Sequence, residues 1–339
     1  MSHANELRTN AAILVANGRG ILAADESTGT IGKRLASIGV DNEEAHRRAY
    51  RQLLFTAPDV ETYISGVIMY DETLRQSTED GVPFAKLLTE KGVMPGIKVD
   101  TGAKALAGAD GEKVTEGLDG LRDRLAEYHA LGARFAKWRA VITIANGQPS
   151  RYCLETNAHA LGRYAALCQE AGIVPIVEPE VLMDGDHDID RCETVTRETH
   201  RVVFDELARQ RVQLDGMLLK PNMVISGSGC AAQAGVDEVA ARTVALLRDT
   251  VPASVPGVVF LSGGQAEQVA TAHLQAMNAN HGAHPWQLSF SYGRALQQSA
   301  LRTWAGKAAQ VEAAGRALIH RARCNAHAAK GTYNAAMEG

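Results

Sequence analysis

The chain alternates short apolar runs with longer segments in which apolar residues recur every three or four positions. Runs such as Val-Val-Phe-Leu and Ile-Val-Pro-Ile-Val are nearly continuous and are bounded by Gly or Pro. Parallel strands that are covered on both faces have this pattern. It predicts eight strands: Gly20–Asp25, Ser65–Tyr70, Gly96–Asp100, Arg134–Arg139, Ile173–Glu178, Gly216–Lys220, Gly257–Ser262 and Gln287–Tyr292.

The segments between these strands have helical periodicity. Leu118–Leu131 places apolar side chains three or four positions apart, and Val236–Leu247 repeats the pattern. A third, less regular apolar face extends from Ile189 to Leu207. Eight alternations of strand and helix favour the closed α/β architecture of a (β/α)8 TIM barrel, although composition alone leaves a doubly wound open sheet as the rival.

The domain organisation follows from the absence of breaks in composition. No linker rich in Ser, Pro or Gly interrupts the 339 residues, so we expect one domain over residues 1–339. The barrel core is expected at about 20–305, with additional N- and C-terminal helical segments, the latter in a helix and tail over 306–339. We expect the small, polar stretch Gly331–Gly339 to be frayed.

Composition and charge exclude several classes of protein. With 45% apolar and 22% charged residues, the composition is ordinary for a soluble globular protein. The net charge is −4 and no basic stripe occurs, so we expect no nucleic-acid partner, and a local cluster of cations must hold any anionic ligand. Five cysteines without a C-x-x-C pair favour free thiols in a reducing compartment. Without a signal-peptide pattern or an apolar run of about 20 residues, we expect a cytoplasmic protein with no membrane contact.

Charged residues concentrate at the carboxyl ends of the predicted strands, where barrels of this type carry their active sites. Buried charges are costly unless they are paired or hydrogen-bonded. The convergence of both signs of charge from several strands therefore indicates an active site rather than a packing role. These residues are Asp25, Lys98, Asp100, Lys137, Arg139, Glu178, Glu180 and Lys220, with Ser262 and Arg294 just beyond the last two strands.

Three lysines at one barrel mouth suggest amine chemistry. Like charge and desolvation both favour the neutral form, so one of Lys98, Lys137 and Lys220 can lose its proton near neutral pH. A neutral amine attacks a ketone, and the resulting protonated imine is an electron sink. Lys220 is the best candidate because it ends the most apolar stem, Met217–Leu219. A lysine held in a structural salt bridge would occupy the same place.

An imine mechanism also needs groups that move protons. Paired carboxylates in unlike environments supply an acid and a base. Glu178, Glu180 and Asp25 are the available carboxylates. The alternative role for Glu178 and Glu180 is to hold lysines in place.

Two glycine-containing loops predict an anion site. Leu261–Gly264 follows the seventh strand with Ser262, Gly263 and Gly264, and Ser291–Arg294 follows the eighth with Gly293. Glycines let the backbone approach an anion at a helix N-terminus. The loops after strands seven and eight commonly bind phosphate in such barrels, and we expect the same here.

No motif indicates a metal or another cofactor. Asp184–Asp190 resembles the start of a calcium loop, but Ile189 replaces the Gly of position six and Val195 replaces the Glu of position twelve. His281 and His284 have no matched ligands. We therefore expect neither a metal nor a cofactor.

Seven segments resemble signature segments of the class I fructose-bisphosphate aldolases. They occur in the family's order over nearly the whole chain: Ile21–Gly29, Gly96–Asp100, Phe135–Arg139, Ile176–Glu180, Leu218–Met223, Leu261–Gln265 and Phe290–Leu296. The resemblance implies a barrel that cleaves fructose 1,6-bisphosphate reversibly into dihydroxyacetone phosphate and glyceraldehyde 3-phosphate, in glycolysis and gluconeogenesis. It also implies a lysine Schiff base, no metal and a homotetramer.

The same resemblance implies the roles of individual residues. Lys220 matches the Schiff-base lysine, Glu178 matches the acid/base that helps form the imine, and Asp25, with Lys137 beside it, would handle the C4 hydroxyl proton. The residues that match the C1-phosphate site are Ser262, Gly263, Gly264, Ser291 and Arg294, and those that match the C6-phosphate end are Arg34 and Lys98, with Arg139 and Ser27 close by.

Two departures and two alternatives accompany the resemblance. Better-known members end in a tyrosine on a mobile tail that assists proton exchange, whereas this chain ends at Glu338–Gly339 with Tyr333 well short of the terminus, and Thr101 stands where many relatives have a lysine. A related aldolase could prefer sedoheptulose bisphosphate or fructose 1-phosphate. A non-catalytic barrel scaffold would have lost the strand-end charges, all of which are present.

Overall fold

The computed structural model describes residues 3–339, and its centre is a sheet closed on itself. Ten strands occur in this part of the chain: β1 (Gly20–Ala24), β2 (Ile64–Met69), β3 (Met94–Lys98), β4 (Gly102–Ala105), β5 (Lys113–Glu116), β6 (Phe135–Ile142), β7 (Val174–Val181), β8 (Leu218–Leu219), β9 (Gly257–Phe260) and β10 (Gln287–Tyr292). Eight of them close a barrel in the order β1-β10-β9-β8-β7-β6-β3-β2, and every pairing is parallel.

The helices lie outside the barrel or at its ends. Those between residues 3 and 339 are α1 (Ala4–Val15), α2 (Thr28–Ala36), α3 (Glu44–Thr56), α4 (Val60–Tyr63), α5 (Asp71–Arg75), α6 (Phe84–Glu90), α7 (Leu121–Ala130), α8 (Arg151–Glu170), α9 (Ile189–Arg209), α10 (Val236–Thr250), α11 (Glu267–Asn280), α12 (Arg294–Trp304) and α13 (Val311–Ala329). None of these helices combines the length and the apolar character needed to cross a bilayer.

The predicted (β/α)8 TIM barrel is confirmed. Strand β1 pairs with β2 on one side and with β10 on the other, so the sheet has no edge and the open-sheet alternative is wrong. Strands β2, β7 and β9 are buried along their whole lengths. They are covered on both faces, which explains why their sequences are nearly continuous apolar runs.

The amino-terminal helix α1 plugs the N-terminal end of the barrel. Its buried residues Leu7, Leu14 and Val15 belong to one apolar cluster with residues of six barrel strands: Ile21, Ile68, Phe135, Val174, Ile176, Leu218 and Val259. The contact is close, because a Cβ added at Gly257, the first residue of β9, would lie 2.5 Å from the Val15 side chain. This end of the barrel is therefore a packed core, and the open mouth lies at the carboxyl ends of the strands.

The structure corrects several predicted boundaries. The sixth barrel strand is only Leu218–Leu219, shorter than the predicted Gly216–Lys220, because a single-turn 3₁₀ helix occupies Leu214–Gly216. The helix predicted from Leu118 begins at Leu121. The antiparallel hairpin β4–β5 was not predicted, since its short, largely exposed strands carry no apolar run.

The expectation of a frayed C-terminal tail is wrong. Residues Ala335–Glu338 form a 3₁₀ turn that packs beside α13. The Glu338 carboxylate pairs with Arg321, which is 3% exposed, and it accepts a hydrogen bond of 2.8 Å from the Tyr333 hydroxyl. A polar composition suggested disorder, but a buried guanidinium that needs an anion fixes this segment.

Candidate active site

A cavity of about 570 Å³ opens at the carboxyl ends of the barrel strands. Every residue predicted for the site lines it, except Asp100 and Gly264. The predicted residues that do line it are Asp25, Ser27, Arg34, Lys98, Lys137, Arg139, Glu178, Glu180, Lys220, Ser262, Gly263, Ser291, Gly293 and Arg294. The barrel therefore brings together side chains from all parts of the chain, as strand-end positions require.

Lys137 lies at the centre of the charges in the cavity. Its Nζ is 2.7 Å from Asp25 Oδ2, 3.6 Å from Glu178 Oε2 and 3.9 Å from Asp100 Oδ2. The lysine side chain is 4% exposed, so these carboxylates replace the water that it loses on burial. One cation thus holds together acidic groups from β7 and from the ends of β1 and β3.

Lys220 lies at the floor of the same cavity, directly after the short strand β8. Its backbone N–H donates to the Val177 carbonyl at 2.8 Å, which anchors the residue to β7. Its Nζ is 3.2 Å from Glu178 Oε1, and the side chain is 5% exposed. Glu178 therefore lies between two amines, with one carboxylate oxygen turned toward Lys220 and the other toward Lys137.

The charges around Asp25 decide its ionisation. Burial alone would raise its pKa, but attraction to Lys137, Lys220 and Lys98 outweighs this effect and holds the pKa of Asp25 well below its ordinary value. Burial would lower the pKa of Lys137, but Asp25, Glu178 and Asp100 raise it well above its ordinary value. The site thus contains an ionised carboxylate against a permanently protonated amine.

This result corrects the like-charge argument for Lys137. The sequence suggested that neighbouring lysines would favour a neutral amine. In the structure the carboxylates lie between the lysines, and for Lys137 their attraction exceeds the repulsion. Lys137 is therefore a fixed cation rather than a nucleophile.

Glu180 takes a different position from Glu178. Its carboxylate pairs with the Arg139 guanidinium, which is 43% exposed, while the Glu180 side chain is 6% exposed. Burial would lower the pKa of Arg139, but Glu180 outweighs this effect and raises it. Lys98, Lys137 and Lys220 pair with Asp25, Asp100 and Glu178, and not with Glu180. Glu180 therefore orients Arg139 rather than an amine.

A buried carboxylate organises one end of the cavity. Glu26 pairs with Arg34, which faces the cavity, and lies 2.6 Å from Arg51, which is buried. Gln297 Nε2 donates to Glu26 Oε1 at 3.0 Å. Burial would raise the pKa of Glu26, but the two guanidinium groups hold it below its ordinary value. Two arginines share one carboxylate, so this end of the cavity carries surplus positive charge.

Two other groups lie at the same end. Lys98 Nζ is 2.6 Å from Asp100 Oδ1 and also donates to the Asp100 backbone carbonyl at 2.6 Å. The Ser27 hydroxyl lies 3.2 Å from the hydroxyl of Thr30. With Arg34 they form a cluster of donors that can hold a phosphate.

The loops after β9 and β10 build another part of the cavity, and the second of them lies beside Arg34, because β10 pairs with β1 and a Cβ at Gly293 would be 3.8 Å from Arg34 Nη2. The Ser291 hydroxyl is buried and, within residues 3–339, is one of the polar groups without a hydrogen-bond partner. Arg294 begins α12, so the N-terminus of this helix faces the same part of the cavity. The Arg294 Nη2 donates to the Gly263 carbonyl at 2.8 Å. Gly263 has a φ of +56°, in the left-handed region that glycine tolerates. A free hydroxyl, a helix N-terminus and an arginine together make an anion site.

Gly264 lies just outside the lining of the cavity. Its N–H points at the sulfur of Met183, 2.8 Å away. A Cβ at this position would lie 2.7 Å from the same sulfur, so a larger residue would displace Met183. The structure therefore gives Gly264 a packing contact in addition to its predicted place in the anion loop.

Sequence reasoning missed four polar residues that line the cavity: Glu26, Thr30, Lys33 and Ser37. Thr30 and Lys33 lie on α2, and Ser37 follows it directly. With Arg34 they recur three or four positions apart, so a polar helical face was the signal that could have revealed them. Glu26 adjoins Asp25 at a strand end, and that position was a second available signal.

Residues with metal-ligating side chains come together in one group within the described part of the chain. They are His320, Cys324 and Glu338, and none of them lines the cavity. The carboxylates of the cavity are instead paired with lysine and arginine side chains.

Comparison with known proteins relates this cavity to a known family. The family model described as "Glycolytic: Fructose-bisphosphate aldolase class-I" matches residues 6–339. A protein of Xanthomonas campestris pv. campestris named "Probable fructose-bisphosphate aldolase class 1" is 57% identical, covering 97% of this chain and 98% of the relative. A chickpea (Cicer arietinum) protein named "Fructose-bisphosphate aldolase, cytoplasmic isozyme" is 56% identical, covering 97% of this chain and 92% of the relative.

A solved structure extends the similarity to the fold. Fructose-bisphosphate aldolase of Plasmodium falciparum, determined in complex with TRAP and a small-molecule inhibitor, superposes with a TM-score of 0.97 at 48% identity. The match covers 98% of this chain and 96% of the other.

Proposed function

The chain belongs to the class I fructose-bisphosphate aldolase family and is a lyase, and on that basis we propose that it forms its Schiff base on Lys220. One observation carries the proposal. Lys220, Glu178, Lys137 and Asp25 form a continuous chain of contacts of 3.2, 3.6 and 2.7 Å across the floor of the cavity. Such a chain supplies a nucleophile, a proton carrier and a base within reach of one substrate.

Imine formation comes first. The Lys220 amine adds to the C2 carbonyl of the open-chain ketose, and loss of water leaves a protonated imine. The Glu178 carboxyl group, 3.2 Å from Nζ, can take the proton that the Lys220 ammonium loses before the attack and return it to the departing hydroxyl, while the proton released on addition moves from nitrogen to the C2 oxygen. The cationic imine then serves as the electron sink that the next step needs.

Cleavage of the C3–C4 bond follows. Asp25 removes the proton of the C4 hydroxyl, the C3–C4 electron pair moves into the imine, and glyceraldehyde 3-phosphate leaves while an enamine stays on Lys220. The lowered pKa of Asp25, which burial opposes and the lysines outweigh, keeps this carboxylate ionised and ready to accept the proton. Lys137 Nζ, 2.7 Å from Asp25, can stabilise the negative charge that develops on the C4 oxygen as its proton leaves.

The enamine is then protonated at C3, water adds to C2, and dihydroxyacetone phosphate is released. The Tyr333 hydroxyl donates to Glu338 at 2.8 Å, and burial together with this bond raises the pKa of Tyr333 to about 12. Tyr333 is thus engaged in a structural contact. We assign the C3 proton to a group of the cavity or to a water molecule. The imine supplies the electron sink, so the reaction needs no metal.

Two groups of cavity residues fit the two phosphates of the substrate. We assign the C1 phosphate to Ser262, Gly263, Gly264, Ser291, Gly293 and Arg294, where a buried hydroxyl lacks a partner. We assign the C6 phosphate to Arg34 and Lys98, with Ser27 and Arg139 nearby, where two arginines share one carboxylate. The cations are local, which fits a chain whose net charge is −4.

Reductive trapping tests the assignment of Lys220. Dihydroxyacetone phosphate is added to the enzyme, the imine is reduced with borohydride, and the digested protein is analysed by mass spectrometry. We expect one stable adduct per chain, on the peptide that contains Lys220. Turnover should be lost in Lys220→Arg, since a guanidinium is not a nucleophile at neutral pH. Turnover by the parent enzyme should be unchanged in the presence of a chelator.

The other two lysines of the cavity are the matched controls. Lys137→Arg and Lys98→Arg keep the positive charge, and the adduct should still form on Lys220 in both variants even where turnover is slower. An adduct on a different lysine, or full turnover by Lys220→Arg, would overturn the assignment.

Location, assembly and domain organisation complete the proposal. We propose a cytoplasmic location and a homotetramer, the former supported by a relative named as a cytoplasmic isozyme. We also propose that residues 1–339 form one domain, which is supported by the packing of the terminal helices α1 and α13 against the barrel and its helices. Native mass spectrometry tests the assembly, since a tetramer of the 36.2 kDa chain has four times that mass.

A further inference from the structure

Three side chains with metal-ligating atoms meet where the C-terminal tail packs against the last helix. His320 and Cys324 lie one turn apart on α13, and Glu338 comes from the 3₁₀ turn of the tail. Their ligand atoms all lie within 4.8 Å of one another. His320 Nε2 is 3.9 Å from Cys324 Sγ and 3.7 Å from Glu338 Oε2.

The three groups are sheltered to different degrees. Cys324 is buried, whereas the side chains of His320 and Glu338 are 35% and 17% exposed. The Cys324 thiol donates weakly to the Met337 carbonyl at 3.8 Å, and burial raises its pKa. Without a metal the sulfur therefore stays a protonated thiol, and the exposed side of the cluster leaves a path by which an ion can enter.

Two further contacts fix the carboxylate of Glu338. The Tyr333 hydroxyl donates to its Oε1 at 2.8 Å, and the buried Arg321 pairs with its Oε2. Arg321 in turn donates to the Thr271 hydroxyl at 2.6 Å. Groups that orient a ligand in this way raise metal affinity, because the ligand does not need to be ordered when the ion binds.

We propose that His320, Cys324 and Glu338 bind a Zn²⁺ ion that joins the C-terminal tail to helix α13. A tetrahedral zinc with ordinary bond lengths separates sulfur from nitrogen by about 3.5 Å and nitrogen from oxygen by about 3.3 Å. The observed separations exceed these values by a few tenths of an ångström, which rotamer adjustments can close. A water molecule would take the fourth position on the exposed side.

The ligand set selects the kind of ion. A thiolate and an imidazole suit zinc and disfavour magnesium and calcium, which prefer oxygen ligands. The charge also balances at the ion, because Glu338 and the deprotonated Cys324 supply two negative charges. Arg321 adds a positive charge nearby, so we expect weaker binding than in structural sites with four protein ligands. Binding should release the thiol proton and strengthen as the pH rises.

The proposed site is separate from the catalytic chemistry, and neither proposal depends on the other. None of the three ligands lines the active-site cavity. Removing the ion should therefore leave the Schiff-base reaction intact, and its effect should appear in the tail. The failure of either proposal would not affect the other.

Zinc and cobalt binding to the full-length chain tests the proposal. The apoprotein competes with a chromophoric chelator for Zn²⁺, and Co²⁺ reports the ligands through thiolate-to-metal absorption. We expect one equivalent of Zn²⁺ per chain, a thiolate band with Co²⁺, and slower removal of residues 331–339 by carboxypeptidase when zinc is bound. Cys324→Ser should abolish the thiolate band, and His320→Gln should weaken zinc binding by at least about tenfold.

Two matched controls separate this site from adventitious binding. Cys230→Ser removes a partly exposed thiol, and His327→Gln removes a histidine of the same helix outside the cluster. Both should bind zinc as the parent does. Cys324 is buried and its variant could unfold, so the half-exposed His320 provides the second test. The proposal is overturned if no zinc binds, or if binding is unchanged in His320→Gln.

Discussion

Arg34 lies between the buried carboxylate of Glu26 and the open cavity. From this position we expect it to contribute to substrate specificity. Only a substrate with a phosphate on C6 should need it. We expect Arg34→Ala to lower kcat/KM for fructose 1,6-bisphosphate about 10- to 100-fold, the loss of one hydrogen bond between charged groups. Cleavage of fructose 1-phosphate should change by less than about twofold. Steady-state kinetics with the two ketoses measures the difference.

Arg294 provides the matched comparison, since it lines the same cavity and its guanidinium contacts the Gly263 carbonyl rather than Glu26. Arg294→Ala should lower kcat/KM for both substrates, because both carry the C1 phosphate. Arg34→Ala should also fold normally, since Glu26 keeps its contacts of 2.6 Å to Arg51 and 3.0 Å to Gln297. Equal losses on both substrates in Arg34→Ala would contradict the assignment of Arg34 to the distal phosphate.

The charged residues of the site could be predicted because strand ends are visible in the sequence. Lys137, Glu178 and Lys220 each lie toward the carboxyl end of a predicted strand, and a barrel must bring such ends together. The pairing among them could not be predicted, since it depends on side-chain distances such as the 2.7 Å between Lys137 and Asp25. For the same reason the sequence left open which of the three cavity lysines is neutral, and the structure excludes Lys137, which is a fixed cation.

At the scale of elements, helix α1 stabilises the fold by packing against the barrel, which its sequence alone does not indicate. Leu14 is fully buried against the barrel floor, while its neighbour Ile13 is 40% exposed. We expect Leu14→Ala to lower the free energy of unfolding by about 2–5 kcal/mol, because it removes buried methyl groups and leaves a cavity. Denaturant unfolding at a fixed protein concentration measures the change.

Ile13→Ala is the control in the same turn of the helix. It removes an equal number of carbon atoms from the solvent side, so the free energy of unfolding should change by less than about 0.5 kcal/mol. Similar losses in both variants would mean that α1 does not plug the barrel as the cluster of Leu7, Leu14 and Val15 implies.

The elements that the sequence failed to predict lack a periodic apolar signal. The hairpin β4–β5 is largely exposed, and the strand before Lys220 has only two residues in the ladder. The tail shows the opposite error, because Gly331–Gly339 is polar yet docked. The tail is ordered because Glu338 pairs with the buried Arg321. Arg321 lies on α13, outside the tail, so the composition of the tail alone could not reveal this contact.

At the scale of the whole molecule, proton binding links a buried histidine to the stability of the fold. His200, on α9, lies 3.0 Å from the Thr250 hydroxyl at the end of α10. That hydroxyl donates to the Leu246 carbonyl, so the network assigns the His200 proton to Nδ1 and leaves Nε2 buried without a partner. Burial, helped by the Arg197 charge, lowers the pKa of His200 from 6.5 to about 3.

The sign of the pH effect follows from this lowered pKa. Between pH 6.5 and about 3 the unfolded chain binds a proton at His200 that the folded chain does not, so stability falls as the pH falls through this window. From pH 7 to pH 5 the loss should be about 2 kcal/mol from this residue alone. His200→Asn keeps a donor toward Thr250 but cannot titrate. Between pH 7 and pH 5 the free energy of unfolding of this variant should therefore fall by about 2 kcal/mol less than that of the parent.

Urea unfolding at pH 7 and pH 5 compares the parent, His200→Asn and the control His46→Gln, whose histidine is only half-buried on α3. The quantity that matters is the difference between the two pH values, because the asparagine variant also loses packing at both. His46→Gln should keep the full acid sensitivity of the parent. If His200→Asn also kept the full acid sensitivity of the parent, the lowered pKa of His200 could not be the origin of that sensitivity. The folded protein would then bind the proton at His200 as readily as the unfolded chain does.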